Sequence, residues 1–297
     1  MLEFKPITAQ DRPWVHTLLY AADRLGCEYS FLNQLIWISP NGKIARMGDF
    51  FLCRMEYENT RFYFYPADTG DVFPVLEALR QDAGERGERF ILRGVTGEDR
   101  AVLEGLYPGK FSFEEKRNTF DYIYPVDKLA DLGGKKLQAK RNHINKFLQE
   151  HPHWRTEEIT KENLHLCEKL AEDWYSSREG GDFQGEKFAL STAFENMEAC
   201  GLEGILLLDG DTPLGFSLGN RITERVFDVN FEKSYAHVPG AYPLVNREFS
   251  RYIRAKYPQV EFINREDDMG LEGLRKAKES YHPELLHKMQ AVWESEA

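Results

Sequence analysis

Apolar and polar positions alternate between helical and strand-like spacing along the whole chain. Apolar residues recurring every three or four positions predict a helix over residues 9–22, with Trp14, Leu18 and Leu19 on one side. The stretch "FFLCRMEYENTRFYFYPAD" reads as two aromatic-rich strands joined by a turn at residues 58–60. Val72, Val75, Leu76 and Leu79 restore helical spacing over residues 71–85. "RFILRGV" reads as a buried strand, "TGEDRAVLEGLYP" as a helix capped near Thr96 or Gly97, and "TFDYIYPV" as a further strand. Pro125 and the pair Gly133 and Gly134 punctuate the passage into the second half.

The second half repeats the alternation. Helices are predicted over residues 135–149, 163–176 and 186–200. Three strands follow, in "GILLLDG", "PLGFSLGNRI" and "RVFDVNFE", the first two forming a hairpin across residues 210–213. A loop, "KSYAHVPGAY", leads to a helix over 243–256, a strand "VEFIN", and a helix over 271–281 whose packing face is Leu271, Leu274, Ala277 and Tyr281. This order predicts an α/β protein of two domains, residues 1–126 and 127–297.

Composition narrows the class. The 297 residues exceed one hydrophobic core, and 42% apolar content is ample for folding. The longest aliphatic run, Ile205 to Leu208, is too short to span a bilayer, and the N-terminus lacks a secretory pattern. Cys27, Cys53, Cys167 and Cys200 are too widely separated for a C-x-x-C motif, so a cytoplasmic chain with free thiols and no metal is expected. The net charge of −11 opposes general affinity for nucleic acid or anionic lipid. One segment departs from that balance: "KKLQAKRNHINK", residues 135–146, carries five Lys or Arg, one His and no acid.

On a helical wheel of about 100° per residue, Leu137, Ile144 and Leu148 define the buried face of this segment. Lys136, Lys140, His143 and Phe147 gather on one flank, and Arg141 lies beside the apolar stripe, aimed toward the interior. Two polar stretches stand opposite in kind. "DVNFE" alternates Phe227, Val229 and Phe231 on one face with Asp228, Asn230 and Glu232 on the other. "NREDD", residues 264–268, leaves a predicted strand through five consecutive polar groups, at the strand end where open α/β sheets bind ligands. Asp267 and Asp268 also suit the cap of the following helix.

"LGGKKLQAKRNHINKF" together with "INREDDMGLEGLRKAKESYHP" resembles the family of phosphatidylglycerol lysyltransferase C-terminal domains, over essentially the whole chain. The resemblance implies two tandem acetyltransferase-like (GNAT) domains with mixed sheets flanked by helices, a fold similar to that of Fem-type aminoacyltransferases. It implies an acyl- or aminoacyl-transferase drawing on acyl-CoA or aminoacyl-tRNA, with a small-molecule, peptide or lipid-head-group acceptor. Lys136, Lys140, Arg141, His143 and Gly240 are then candidates for donor or anion binding, with tRNA contact through residues 135–146. Asp228, Glu232, Asn264 and Glu266 are the catalytic candidates, Asp228 or Glu232 serving as base. Asn230, Arg265, Tyr281 and His282 would bind the acceptor. The loop that would meet a coenzyme A pyrophosphate, "AHVPGAY", keeps only Gly240 and Ala241 of the usual pattern and contains Pro239, which has no N–H. The alternative is a non-catalytic ligand-binding protein on the same fold. All of this places the cationic flank and the "NREDD" ledge across one shared hollow.

Overall fold

A computed structural model of the chain describes residues 2–57, 59–67, 70–177 and 183–294. In chain order the strands are β1 (Gly42–Met47), β2 (Phe50–Tyr57), β3 (Thr60–Phe64), β4 (Ile91–Val95), β5 (Phe111–Glu115) and β6 (Asp121–Pro125). They continue as β7 (Trp154–Glu158), β8 (Glu203–Asp209), β9 (Thr212–Arg221), β10 (Val226–Ser234), β11 (Phe262–Asn264), β12 (Glu284–Leu286) and β13 (Met289–Trp293). The helices are α1 (Arg12–Ala21), α2 (Phe31–Asn33), α3 (Phe73–Glu85), α4 (Gly97–Leu106), α5 (Val126–Asp131) and α6 (Gln138–Glu150). After them come α7 (Leu164–Ser176), α8 (Gln184–Glu195), α9 (Met197–Cys200), α10 (Ala241–Lys256) and α11 (Glu272–Glu279).

These elements form two compact units. The first holds the chain up to Tyr122, then Glu266–Lys278, then the segment from Glu284 onward; the second holds Ile123–Arg265 and Glu279–Pro283. A single cut at 126/127 is therefore incomplete, because the C-terminal chain folds with the first unit. The cause is a strand that the spacing of "LLHKMQAVW" concealed. β13 completes the first sheet, which runs β1-β2-β3-β4-β13-β5, pairing antiparallel with both β4 and β5. Ala291 is fully buried in the core formed by Leu52, Leu76, Leu79, Leu92 and Leu103. Trp293 meets Phe111 and Tyr107 edge-on at 5.1 and 5.2 Å. Tyr57 and Thr60 close the β2–β3 hairpin as expected, although Glu58 of that turn lies outside the described residues.

In the second unit the sheet runs β6-β11-β10-β9-β8-β7. The expected β8–β9 hairpin is present, closing at Asp209↔Thr212 with Gly210 at φ 57, a left-handed turn position that suits glycine. β10 lies in the interior of the sheet, antiparallel to β9 and parallel to β11. Helix α10 packs on one face through the fully buried Leu244, Val245 and Ile253.

α11 differs from expectation. It spans eight residues, Leu271 before it is 54% exposed, and Lys278 is the residue it buries. What holds this segment is Asp268 rather than an apolar stripe. Its buried carboxylate accepts from Arg275 Nε at 2.8 Å, Arg117 Nη1 at 3.1 Å, the Tyr122 phenol at 2.6 Å and the Gly270 amide at 2.8 Å, all within the first unit. Burial alone would raise this acid, but those donors hold it down at about 2, from an ordinary 3.8. The folded-state value lies below the unfolded one, so the carboxylate contributes about 2 kcal/mol above pH 4 that is lost as pH falls toward 2. Asp268→Asn should lower stability at pH 7 by about 3 kcal/mol in urea unfolding, with the deficit closing as pH falls from 4 to 2. An unchanged midpoint at pH 7 would contradict this account.

Candidate functional site

The second unit carries its polar residues on a strand that breaks its own alternation. Pairing between β10 and β9 shifts register between Val229 and Phe231, a bulge at Asn230. Its effect is visible on the α10 face. Phe227 packs its ring 5.6 Å from that of Phe249 on α10, and five residues later Glu232 accepts from Asn246 Nδ2 of the same helix at 3.1 Å. Strict alternation would put residues 227 and 232 on opposite faces. The bulge brings them to one, so the expectation that Asp228, Asn230 and Glu232 share a face is corrected. Asp228 and Asn230 keep each other's company, Asn230 Nδ2 donating to Asp228 Oδ2 at 3.1 Å, and Glu232 turns away to α10.

There Glu232 is enclosed by donors. Arg265 Nη2 meets Oε1 at 2.8 Å, while Asn246 and the Ser217 hydroxyl, at 3.3 Å, share Oε2. The side chains of Glu232 and Arg265 are only 8% and 13% exposed, and a charge so far from water needs a partner of opposite sign. Burial works against the guanidinium charge, yet Glu232 and the phenols of Tyr124, Tyr281 and Tyr242 outweigh it and raise its pKa. Tyr281 is buried edge-on against Tyr124, with ring centroids 6.4 Å apart, and burial raises its phenol. Lys140 of α6 completes the group, its Nζ 4.1 Å from the Tyr281 ring centroid; Arg265 Cζ lies 5.3 Å from the same ring. Burial, then the Arg265 charge, lower the Lys140 ammonium pKa, and Glu232 offsets them in part.

The cationic flank and the ledge thus meet, but through fewer residues than expected. Lys140, Arg265, Glu232 and Tyr281 come together, and Asn264 is fully buried at the end of β11 opposite Asp228 in register. Lys136 and His143 are exposed. Arg141 does not aim inward: its guanidinium donates to the carbonyls of Leu132 and Gly134, the latter at 2.8 Å, and to Gln138, tying off the end of α5. Gly240, N-cap of α10 at φ 91, is packed against α6, where an added Cβ would stand 2.5 Å from the His143 carbonyl oxygen and 2.8 Å from Phe147 Cβ. His282 is exposed, and its carbonyl accepts from Lys128.

The rest of "NREDD" belongs to the first unit. Glu266, at φ 57, accepts from Asn33 Nδ2 at 3.0 Å. Near it lies a second buried group that sequence reading missed. Lys288 Nζ meets Asp121 Oδ1 at 2.8 Å and Glu28 Oε2, with Cys27 Sγ at 3.9 Å. Cys27, Glu28 and Asp121 place possible ligand atoms within 4.8 Å of one another, and the Lys288 ammonium already sits among them. Burial raises both the Cys27 thiol and the Glu28 carboxyl. The available signal was a lysine within the apolar-containing tail "LLHKMQAVW". In the second unit Asn246, polar at a buried position of α10, was a comparable sign.

Each unit is thus a mixed sheet flanked by helices, and in the second the polar groups gather just beyond the paired stretch of β10 and β11. The chain belongs to the family described as phosphatidylglycerol lysyltransferase, C-terminal, which matches residues 19–292. A conserved protein of unknown function from Bacteroides thetaiotaomicron VPI-5482 is 36% identical, with a TM-score of 0.92 over 99% of this chain and 100% of that one. The C-terminal domain (DUF2156) of a protein assigned as a lysylphosphatidylglycerol synthetase from Agrobacterium fabrum gives 0.69 at 12% identity, over 97% of this chain and 93% of that one. FemX gives 0.60 at 11% identity, over 97% of this chain and 96% of that one; both likenesses are of fold. An uncharacterized protein of Mycoplasmoides gallisepticum (strain R(low / passage 15 / clone 2)) is 26% identical over 202 residues, 67% of this chain. The match spans 63% of that relative's length. Among the described residues, no helix is long and apolar enough to cross a membrane.

One consequence concerns the ledge itself. Asp267, beside the clamped Asp268, is pushed up to about 6 by burial and by the charge of Asp121. Its folded-state pKa lies above the unfolded one, so the fold favours the protonated acid and loses stability as pH rises from 4 through 6. Asp267→Asn should therefore raise stability at pH 7 by about 1 kcal/mol after solvent screening, and change little at pH 4. Chemical denaturation at the two pH values checks this; equal effects at both would refute it.

Proposed function

We propose that the protein is an aminoacyl- or acyl-transferase whose reaction centre lies at Glu232 and Arg265. The observation that carries this reading is the bulge at Asn230, which turns a buried glutamate toward α10 and pairs it with an arginine beside Lys140, a lysine that has no ion pair among the described residues. Acyl transfer to an amine or hydroxyl needs the two reactants positioned and the charge developing on the carbonyl oxygen stabilised. Arg265, fixed by Glu232, is a preorganised cation suited to that oxygen, and Asn246 and Ser217 fix Glu232 in turn. Membership in the lysyltransferase C-terminal family supports the reaction class.

Between the two donor classes, the start of α10 favours an aminoacyl ester. A coenzyme A pyrophosphate would seek the backbone amides there, but the Ala241 N–H already donates to the Val238 carbonyl at 3.3 Å and Pro243 has no N–H.

The test is turnover by the full chain. It is incubated with mixed aminoacyl-tRNAs or a panel of acyl-CoA thioesters, together with amino acids, peptides and glycerophosphodiesters as acceptors, and products are followed by mass spectrometry. Acceptor-dependent consumption of aminoacyl-tRNA is expected. Arg265→Lys, which keeps charge but loses the fork, should reduce kcat/KM by about 10²-fold with circular dichroism unchanged. If neither donor is consumed above the uncatalysed rate, the transferase reading fails.

A further inference from the structure

The buried lysines of this protein each donate to an oxygen. Lys233, 2% exposed, meets Glu186 Oε1 at 2.8 Å, Lys288 is held by Glu28 and Asp121, and Lys278 donates to the Asp267 carbonyl. Lys140 differs. It is half-buried on α6 against the Tyr281 ring and, among the described residues, has neither a hydrogen bond nor a carboxylate ion pair.

The groups around it explain why. Arg265, following β11, approaches the same Tyr281 ring and takes Glu232, the one acid of β10 that faces this cluster. Asn246 and Ser217 occupy that carboxylate further. Tyr124 of β6 backs both Tyr281 and Arg265 with an aromatic wall. His143 on α6 and Lys136 in the turn before it are exposed, and neither supplies negative charge. An amine partly withdrawn from water and facing a second cation holds its proton less firmly than an exposed lysine, which enlarges its neutral, nucleophilic share.

We propose that Lys140 is a reactive amine, a site that takes the acyl group of activated esters and thioesters ahead of the protein's other lysines. In the step, the neutral Nζ attacks the acyl carbonyl carbon and a C–N bond forms. The bond from that carbon to the ester oxygen or thioester sulfur breaks, and the proton lost from nitrogen passes to the leaving alcohol or thiol. The product is a stable amide, so the event is a modification rather than an intermediate of turnover. The inference goes beyond the transferase reading and does not need it, since a binding protein with this cluster would carry the same amine.

The full chain is treated with a sub-stoichiometric dose of N-hydroxysuccinimidyl acetate, and in parallel with S-acetyl-N-acetylcysteamine, between pH 6 and 9. Acetylated peptides are then quantified by mass spectrometry. At pH 7, Lys140 should label several-fold faster than exposed Lys136 of the same segment, and K140R should remove that label alone. Arg265→Gln removes the facing cation and frees Glu232 for the ammonium, so labelling should slow to the level of Lys136, with circular dichroism and the thermal midpoint reporting the fold. Lys140 labelling no faster than Lys136 at pH 7 in the unaltered protein overturns the proposal, whether or not the variant folds. Because no turnover is measured, its failure leaves the transferase reading standing, and the converse also holds.

Discussion

The second unit's polar cluster depends on one buried ion pair, Glu232 with Arg265, and on the backbone irregularity that makes the pair possible. Two charges this far from water are tolerated only when each is matched, and removing one partner of such a pair costs about 3–5 kcal/mol. β10 could not deliver Glu232 to Arg265 and to α10 with regular alternation, because Phe227 already occupies that face. The bulge at Asn230 resolves the conflict within a single strand: Phe227 serves the core with α10, and after the extra residue Glu232 reaches the same helix. Asn246 and Ser217 then hold the carboxylate so that Arg265 has one favourable position. What remains for Lys140 is the aromatic face of Tyr281 and, among the described residues, no acid of its own.

The first unit solves a different problem by the same means. Its last strand arrives from the far end of the sequence and must be fixed among strands made much earlier. Apolar burial at Met289 and Ala291 supplies the drive, and Lys288 answers the charges of Glu28 and Asp121. Asp268 closes the returning segment by gathering two arginines, a phenol and an amide around one carboxylate. Neighbouring Asp267, lacking those donors, is driven the opposite way by burial and the charge of Asp121. Two adjacent aspartates therefore titrate far apart for reasons of geometry alone.

Much of the fold was legible in the sequence because it rests on local periodicity. The helix around Val75, Leu76 and Leu79, the cap at Thr96 and the hairpin at Gly210 each follow from spacing and turn chemistry within a dozen residues. Less legible was anything set by pairing across long separation. β13 reads as a mixed tail until its neighbours β4 and β5 are known, which is why the chain's division looked like one cut. The site was legible in part. Lys140, Glu232, Arg265 and Tyr281 were named from residue type and position, and they meet. The role expected of Arg141 failed because a helical wheel gives direction but not the nearby carbonyls of Leu132 and Gly134 that capture it. A bulge is likewise invisible to an alternation count: "DVNFE" contains nothing that tells a regular strand from one that turns its polar face halfway.

The means by which this cluster could recognise a charged ligand follow from which groups remain near its edge. A helix N-terminus reads an anion through backbone amides and a fixed dipole, largely independent of pH. At the start of α10 the Ala241 amide donates to the Val238 carbonyl and Pro243 has no N–H. On the proposed reading, recognition of negative charge would fall to side chains, Arg265 and Lys140, of which one is permanently charged and already paired. The other carries a charge that its surroundings disfavour. On the proposed reading, such a site would hold an anion when Lys140 is protonated and present a nucleophilic amine when it is not. An arriving anion supplies the missing counter-charge and draws the lysine toward its protonated form, so binding and proton uptake are coupled at this one residue.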